Sequence, residues 1–92
     1  MKEILYFYLN GCPFCKKADE YISELIAENS DFAHIRITKV EERQNSKLAK
    51  CYNYFYVPCL WIGDKKIHEG VPTKDNIRAC LIAALDENSV GI

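Results

Sequence analysis

The sequence predicts one α/β domain in which the elements follow the order βαβαββα, a four-stranded mixed sheet flanked by three helices. Two observations support this fold class. Apolar strand-like runs alternate with stretches of helical spacing, and two late runs are joined by a tight turn predicted at Gly63-Asp64. Strands connected through a helix pair in parallel, whereas strands joined by a tight turn pair antiparallel. Residues 1–92 are expected to form this single domain around one modest core.

The first strand and the first helix are predicted between residues 4 and 28. Residues 4–9 form an unbroken apolar and aromatic run, which is typical of a central strand buried on both faces. Asn10-Gly11 ends the run, and Pro13 suits the first helical position, where no N–H is needed. Apolar side chains then recur at helical spacing, at Ala18, Tyr21, Ile22, Leu25 and Ile26. The Asn-Ser-Asp sequence at residues 29–31 is expected to end the helix.

The later elements follow from shorter signals. Residues 35–38 alternate between apolar and polar side chains and predict the second strand, with His34 at its start. Residues 40–53 have helical spacing, whereas residues 59–62 and 66–69 predict the two strands of the hairpin, with His68 on the second. Thr73 is a good N-cap for a last helix. That helix is expected to bury Ile77, Leu81, Ala84 and Leu85.

Composition and charge exclude several classes of protein. The net charge is −1 and no basic block occurs, so the chain has no electrostatic means of binding nucleic acid. No apolar run approaches the length of a membrane span. The apolar run at the N-terminus is short and preceded by Glu3, which fits a strand better than a signal peptide, so a cytoplasmic location is predicted. In that reducing compartment the five cysteines would mostly be thiols.

Cys12-Pro13-Phe14-Cys15 lies where the first strand gives way to the first helix. Disulfide exchange requires a thiolate that attacks and a second thiol that resolves the mixed disulfide. At a helix start, free N–H groups and the helix dipole favour negative charge, so Cys12 is the expected nucleophile and Cys15 the resolving thiol. The alternative is half of a zinc site. No second Cys-x-x-Cys pair or Cys/His cluster completes four ligands, so no metal is expected.

Taken together, these motifs resemble the thioredoxin superfamily, and glutaredoxins most closely. Cys12-Pro13-Phe14-Cys15 differs from the glutaredoxin Cys-Pro-Tyr-Cys motif only in lacking the phenol. Val57-Pro58 stands before the hairpin, as in that family, and Gly70 falls where the family ends its last strand in a glycine pair. The resemblance spans nearly the whole chain. It implies a thioredoxin-like fold and a thiol-disulfide oxidoreductase that reduces protein or glutathione mixed disulfides.

The resemblance also implies the roles of individual residues. Val57-Pro58 would form a cis-proline turn facing Cys12 and offer the Val57 backbone to a bound peptide or to glutathione; the alternative is a plain loop proline. Pro13 would stiffen the turn and Phe14 would form an apolar rim. Besides the catalytic pair, the expected substrate-binding residues are therefore Pro13, Phe14, Val57, Pro58 and Gly70. The expected partners are disulfide-containing protein substrates, and the domain is expected to act as a monomer without a bound cofactor.

Some residues depart from the glutaredoxin pattern. Glu69 replaces the first glycine of the pair, and Val71-Pro72-Thr73 replaces an acidic pair at a helix start. Pro72 has no N–H to donate to a glutathione carboxylate. Toward thioredoxins, Tyr6 occupies the position of a buried aspartate. Glutathione and a flavoprotein reductase therefore both stay open as the reductant.

Two other functions stay open at this point. An iron–sulfur cluster carrier of the glutaredoxin type would hold a cluster between two protomers, and a non-catalytic thioredoxin-fold module would only bind a partner. The remaining cysteines are expected to be structural: Cys59 opening a strand, with a third redox role as the alternative, and Cys51 and Cys80 on apolar helix faces. Trp61 is expected in the core. His34 and His68 are expected to be structural or exposed.

Overall fold

The computed structural model describes the backbone of residues 2–90 and the side chains of residues 2–85. Four strands, three α-helices and one 3-10 helix are defined in this range. In chain order they are β1 (Ile4–Tyr8), α1 (Pro13–Glu28), the 3-10 helix (Ser30–His34), β2 (Ile37–Glu41), α2 (Ser46–Ala49), β3 (Cys59–Ile62), β4 (Lys65–Glu69) and α3 (Lys74–Val90).

The sheet has the strand order β2-β1-β3-β4 and is mixed, as predicted. β1 pairs in parallel with β2, and β3 pairs antiparallel with both β1 and β4. The register places Tyr8 opposite Glu41, Phe7 opposite Cys59, and Cys59 opposite Glu69. The C-terminal ends of β1, β2 and β4 therefore lie beside the start of β3. We call this end of the sheet, where the strands stop or start, the active edge. A register shift between Leu60 and Trp61 bends the hairpin.

The two faces of the sheet carry different cores, because successive side chains of a strand point to opposite faces. One face packs against α1 and α3, with Ile4, Tyr6 and Leu60 fully buried there. The other face carries Phe7, Val40, Cys59 and Trp61, covered by aromatic residues of the loop that follows α2. The ring of Phe7 lies 5.0 Å from the rings of both Tyr52 and Tyr54. β1 is thus buried on both faces, as its unbroken apolar run predicts.

The predicted starts of the outer helices are confirmed. Cys12 is the N-cap of α1, Pro13 is its first residue, and Asn29 is its C-cap. At α3, the Thr73 Oγ1 accepts a hydrogen bond from the Asn76 N–H at 3.0 Å, so Thr73 caps the helix. No helix in the described part of the chain is long and apolar enough to cross a membrane.

The middle of the chain differs from the prediction. The Asn29 side chain accepts the Asp31 N–H at 3.0 Å and starts a 3-10 helix that ends at His34, so β2 begins only at Ile37, later than predicted. Ile35 is buried, but it packs against the core from a loop rather than from a strand. His34 is therefore not a strand residue.

The second helix is also shorter than predicted. Val40 and Glu41 belong to β2, and only Ser46–Ala49 is α-helical. The expected core position of Cys51 is wrong, since this thiol is exposed. By contrast, Cys59, Cys80 and Trp61 are buried, as predicted.

Candidate active site at one edge of the sheet

Cys12 occupies the N-cap of α1 with its sulfur turned toward the first helical turn. Gly11 precedes it with a φ of +82°, a left-handed conformation that favours glycine and turns the chain into the helix. The Cys15 N–H then donates to Cys12 Sγ at 3.4 Å. This arrangement directs a backbone dipole at the Cys12 sulfur, the geometry that stabilises negative charge at a helix start. Cys12 is partly exposed, so a partner can reach it.

Cys15 lies one turn further along α1 and is only 3% exposed. Burial, together with the neighbouring Cys12, raises the pKa of the Cys15 thiol to about 12. Its carbonyl accepts a 2.9 Å hydrogen bond from the hydroxyl of the buried Tyr6, which fixes this turn of the helix to β1. The two thiols therefore differ: Cys12 is accessible, whereas Cys15 is covered and stays protonated.

The Val57-Pro58 bond is cis, as the resemblance implied, and it leads directly into β3. The Pro58 carbonyl accepts the Gly70 N–H at 3.0 Å, which joins the turn to the end of β4. Gly70 has a φ of +90°, so a side chain would be strained at this position. Because Phe7 pairs with Cys59, this turn and the Cys12 loop both lie at the active edge.

Several large apolar side chains at the active edge are exposed to solvent. The exposed fractions are 49% for Phe14, 84% for Phe55, 69% for Tyr56 and 62% for Val71. Exposed apolar side chains beside a reactive thiol are available to contact a partner. Sequence analysis identified only Phe14 among them, because spacing indicates which residues an element buries and not which ones a loop exposes.

Glu41, at the end of β2, is a site residue that sequence analysis missed. Its carboxylate is buried, with Oε2 accepting the Asn10 N–H at 2.9 Å. Oε1 accepts the Arg43 N–H at 2.7 Å and the Gln44 N–H at 3.0 Å. The hydrogen bond from Asn10, supported by the other two, lowers the Glu41 pKa. Glu41 thereby joins the end of β2 to the loop that precedes Cys12.

Glu69, at the end of β4, holds the opposite side of the site. Its Oε2 accepts the N–H groups of Phe55 and Tyr56, the latter at 3.0 Å, and its Oε1 accepts Lys66 Nζ at 2.7 Å. The bond from Lys66, followed by the two backbone bonds, lowers the Glu69 pKa to about 2. The sequence marks Glu69 only as a departure from the family's glycine pair.

The other candidate ligands and thiols lie apart from this edge, are buried or have other partners. Cys59 begins β3 at the active edge, but it is fully buried on the face of the sheet away from α1, and burial raises its pKa to about 12. Cys80 is buried in α3, and Cys51 is exposed after α2. A ring nitrogen of His68 hydrogen-bonds the Gly70 carbonyl at 2.9 Å. In the described part of the chain no three His, Cys, Asp or Glu residues form a group that could hold a metal ion.

A family model described as a thioredoxin domain matches residues 3–82. The chain belongs to the thioredoxin domain family. This confirms the superfamily and the fold that the motifs implied. The match does not specify the glutaredoxin branch.

Solved structures agree with this thioredoxin-domain assignment. An uncharacterised thioredoxin-like protein from Clostridium perfringens is 26% identical, with a TM-score of 0.66 over 91% of this chain and 71% of that chain. A malarial protein shares the fold at 19% identity and a TM-score of 0.64, over 89% of this chain and 94% of that one. The first two thioredoxin domains of Eps1p from Saccharomyces cerevisiae also share it, at 23% identity and a TM-score of 0.57; the match covers 95% of this chain and 37% of that one. No curated protein matches the sequence.

Proposed function

We propose that this thioredoxin domain is a cytoplasmic thiol-disulfide oxidoreductase that reduces disulfide-containing proteins through Cys12 and Cys15. The observation that carries the proposal is the difference between the two thiols. Cys12 is accessible and accepts the Cys15 N–H at 3.4 Å, whereas Cys15 is buried with its pKa raised to about 12. A nucleophile that faces the partner and a resolving thiol that is covered until needed are what disulfide exchange requires.

The reaction has two exchange steps. The Cys12 thiolate attacks one sulfur of the substrate disulfide, so that bond breaks, the released sulfur takes up a proton, and a mixed disulfide forms. Cys15 then gives up its proton and attacks Cys12 Sγ, which releases the second substrate thiol. Two electrons pass from the dithiol to the substrate, and the protein is left with a Cys12–Cys15 disulfide.

The substrate-binding roles of Pro13, Phe14, Val57, Pro58 and Gly70 belong to the same proposal. Their support is their position: Pro13 and Phe14 begin α1, Gly70 is hydrogen-bonded to the Val57-Pro58 turn, and both groups lie at the active edge. The substrate would lie across this edge with its sulfur in line with Cys12.

A thiol or dithiol donor must then reduce the Cys12–Cys15 disulfide. The proposed donors are glutathione and a flavoprotein reductase. Pro72 is buried, precedes the N-cap Thr73 of α3 and has no N–H, which removes one donor that a glutathione carboxylate would need beside that helix start. This favours the flavoprotein reductase.

The test is reduction of a disulfide substrate in two parallel assays, one with glutathione and glutathione reductase, the other with thioredoxin reductase and NADPH. Cys12→Ser is the negative control, and Cys51→Ser is the matched control for an exposed thiol away from the site. Turnover in either assay that requires Cys12 supports the proposal and identifies the donor. The proposal is contradicted if neither assay shows turnover and the reduced protein does not exchange with a disulfide peptide. That outcome would favour a binding module or a cluster carrier.

A further inference from the structure

The segment of residues 53–56 connects the loop after α2 to the Val57-Pro58 turn and has no regular structure. Two side chains of β4 hold it. Glu69 accepts the N–H groups of Phe55 and Tyr56, and Lys66 Nζ donates to the Asn53 carbonyl at 3.2 Å. Lys66 and Glu69 also pair with each other at 2.7 Å. We call these two residues the β4 clamp.

Side-chain packing does little to hold the backbone of Phe55 and Tyr56, because both side chains are largely exposed. Tyr54, next to them, is held differently: its ring stacks on Phe7 at 5.0 Å. Its hydroxyl donates to Glu42 at 2.8 Å. For the two exposed aromatic residues, the polar contacts are those made to Glu69. The clamp also retains its charge in mild acid, since the Glu69 pKa is about 2.

We propose that Glu69 is a positioning residue that holds Phe55 and Tyr56 at the active edge, where they contact the apolar side chains flanking a substrate disulfide. The inference rests on the proposed function, because it concerns the partner of Cys12. Phe14 and Val71 are exposed at the same edge, so several apolar side chains are available to that partner. Aromatic side chains contribute large contact areas at low entropic cost, and they dominate such interfaces.

The experiment uses the pre-reduced protein in single turnover against two peptides that differ only in the residues beside their disulfide. The apolar peptide has leucine and phenylalanine at these positions, and the serine peptide has serine. Glu69→Ala removes the acceptor of both N–H groups. Lys66→Met removes the other half of the clamp and leaves the Glu69 carboxylate in place. Glu20→Ala is the matched control, because Glu20 also forms an i,i+3 pair with a lysine, Lys17, at 3.7 Å.

For Glu69→Ala we expect the second-order rate constant with the apolar peptide to fall about tenfold, through a higher half-saturating concentration, with the serine peptide unaffected. For Lys66→Met the same rate constant should fall about threefold, and for Glu20→Ala it should not change. Iodoacetamide alkylation of Cys12 should be equal in all variants, and amide exchange at Phe55 and Tyr56 should be faster in Glu69→Ala.

An unchanged rate with the apolar peptide in Glu69→Ala, or an equal loss with both peptides, overturns the inference and leaves the proposed function standing. If Glu69→Ala does not fold, the same criterion applies to Lys66→Met. A wild-type protein that reduces neither peptide overturns the proposed function itself.

Discussion

Two loops form the active edge, and each is held by a glutamate at the end of an outer strand. Glu41 of β2 accepts the Asn10 N–H ahead of Cys12, and Glu69 of β4 accepts the N–H groups of Phe55 and Tyr56 ahead of Pro58. The outer strands therefore act on the site through carboxylates that reach the backbone of a neighbouring loop.

The two contacts differ in their surroundings. Glu41 is 4% exposed and its hydrogen bonds come from backbone N–H groups, whereas the Glu69 side chain is 20% exposed and shared with Lys66. Water can replace a lost carboxylate more readily at Glu69 than at Glu41. The loop before Cys12 is thus held by a buried carboxylate, whereas the aromatic segment before Pro58 is held by a partly exposed one.

The largest effect is expected from removing the thiols that follow the loop held by Glu41. Cys12→Ser should lose disulfide exchange entirely, because no second accessible thiol stands at the active edge in the described residues. Cys15→Ser should complete the first step and accumulate the mixed disulfide, which mass spectrometry would detect. Exchange retained by Cys12→Ser would place the chemistry elsewhere, and Cys51→Ser is the matched control.

Replacing the buried carboxylate should have the next largest effect. Glu41→Ala leaves the N–H groups of Asn10, Arg43 and Gln44 without their acceptor and frees the loop before Cys12. We expect the rate of disulfide exchange at Cys12 to fall about tenfold, since small displacements of a reacting group are costly. Glu42→Ala, which loses only the Tyr54 hydroxyl contact, serves as the neighbouring control and should keep the wild-type rate. Equal rates for both variants would contradict the role of Glu41 in positioning Cys12.

The dependence of the unfolding free energy on pH should test both glutamates together. The pKa values of Glu41 and Glu69 are lowered in the folded protein, that of Glu69 to about 2, whereas an unfolded glutamate titrates near about 4.3. Below about pH 4.3 the unfolded chain binds more protons, so their stabilisation is complete above that pH and is lost as the pH falls toward about 2. In urea unfolding across this range, Glu41→Ala and Glu69→Ala should lose less stability than the wild type. Parallel curves for all three proteins would show that the two carboxylates are not responsible.

The smallest effect, a change in stability, is expected from the hydrogen bond that joins α1 to β1 at Cys15. Tyr6→Phe removes the hydroxyl that donates to the Cys15 carbonyl at 2.9 Å and should cost about 1 kcal/mol of unfolding free energy. The exposed Tyr56→Phe is the control and should cost nothing measurable. Equal unfolding free energies for wild type and Tyr6→Phe would show that this bond is replaced by another.

The sequence predicted well the features that depend on neighbouring residues. The N-caps Cys12 and Thr73, Pro13 at the first helical position and the Gly63-Asp64 turn all follow from local chemistry. The middle of the chain was harder, because an apolar side chain such as Ile35 gives the same signal in a buried loop as in a strand.

The two glutamates could not be identified from the sequence for a different reason. The Glu41–Asn10 contact spans 31 residues and the Glu69–Phe55 contact spans 14. Only the register of the sheet brings these groups together, and an acidic residue at a strand end has no pattern that distinguishes such a contact from a solvated side chain. The backbone of Phe55 and Tyr56 is bound by the Glu69 contact, so their exposed position could not be predicted either.

The edge position of β4 has a consequence for the behaviour of the protein at high concentration. An edge strand offers unpaired backbone groups to which a strand of another molecule can add. β4 begins with the exposed Lys65 and Lys66, and the register shift opposite them, between Leu60 and Trp61, distorts the hairpin. Charge and irregularity of this kind oppose intermolecular sheet growth, so we expect Lys65 and Lys66 to limit association through the outer strand β4.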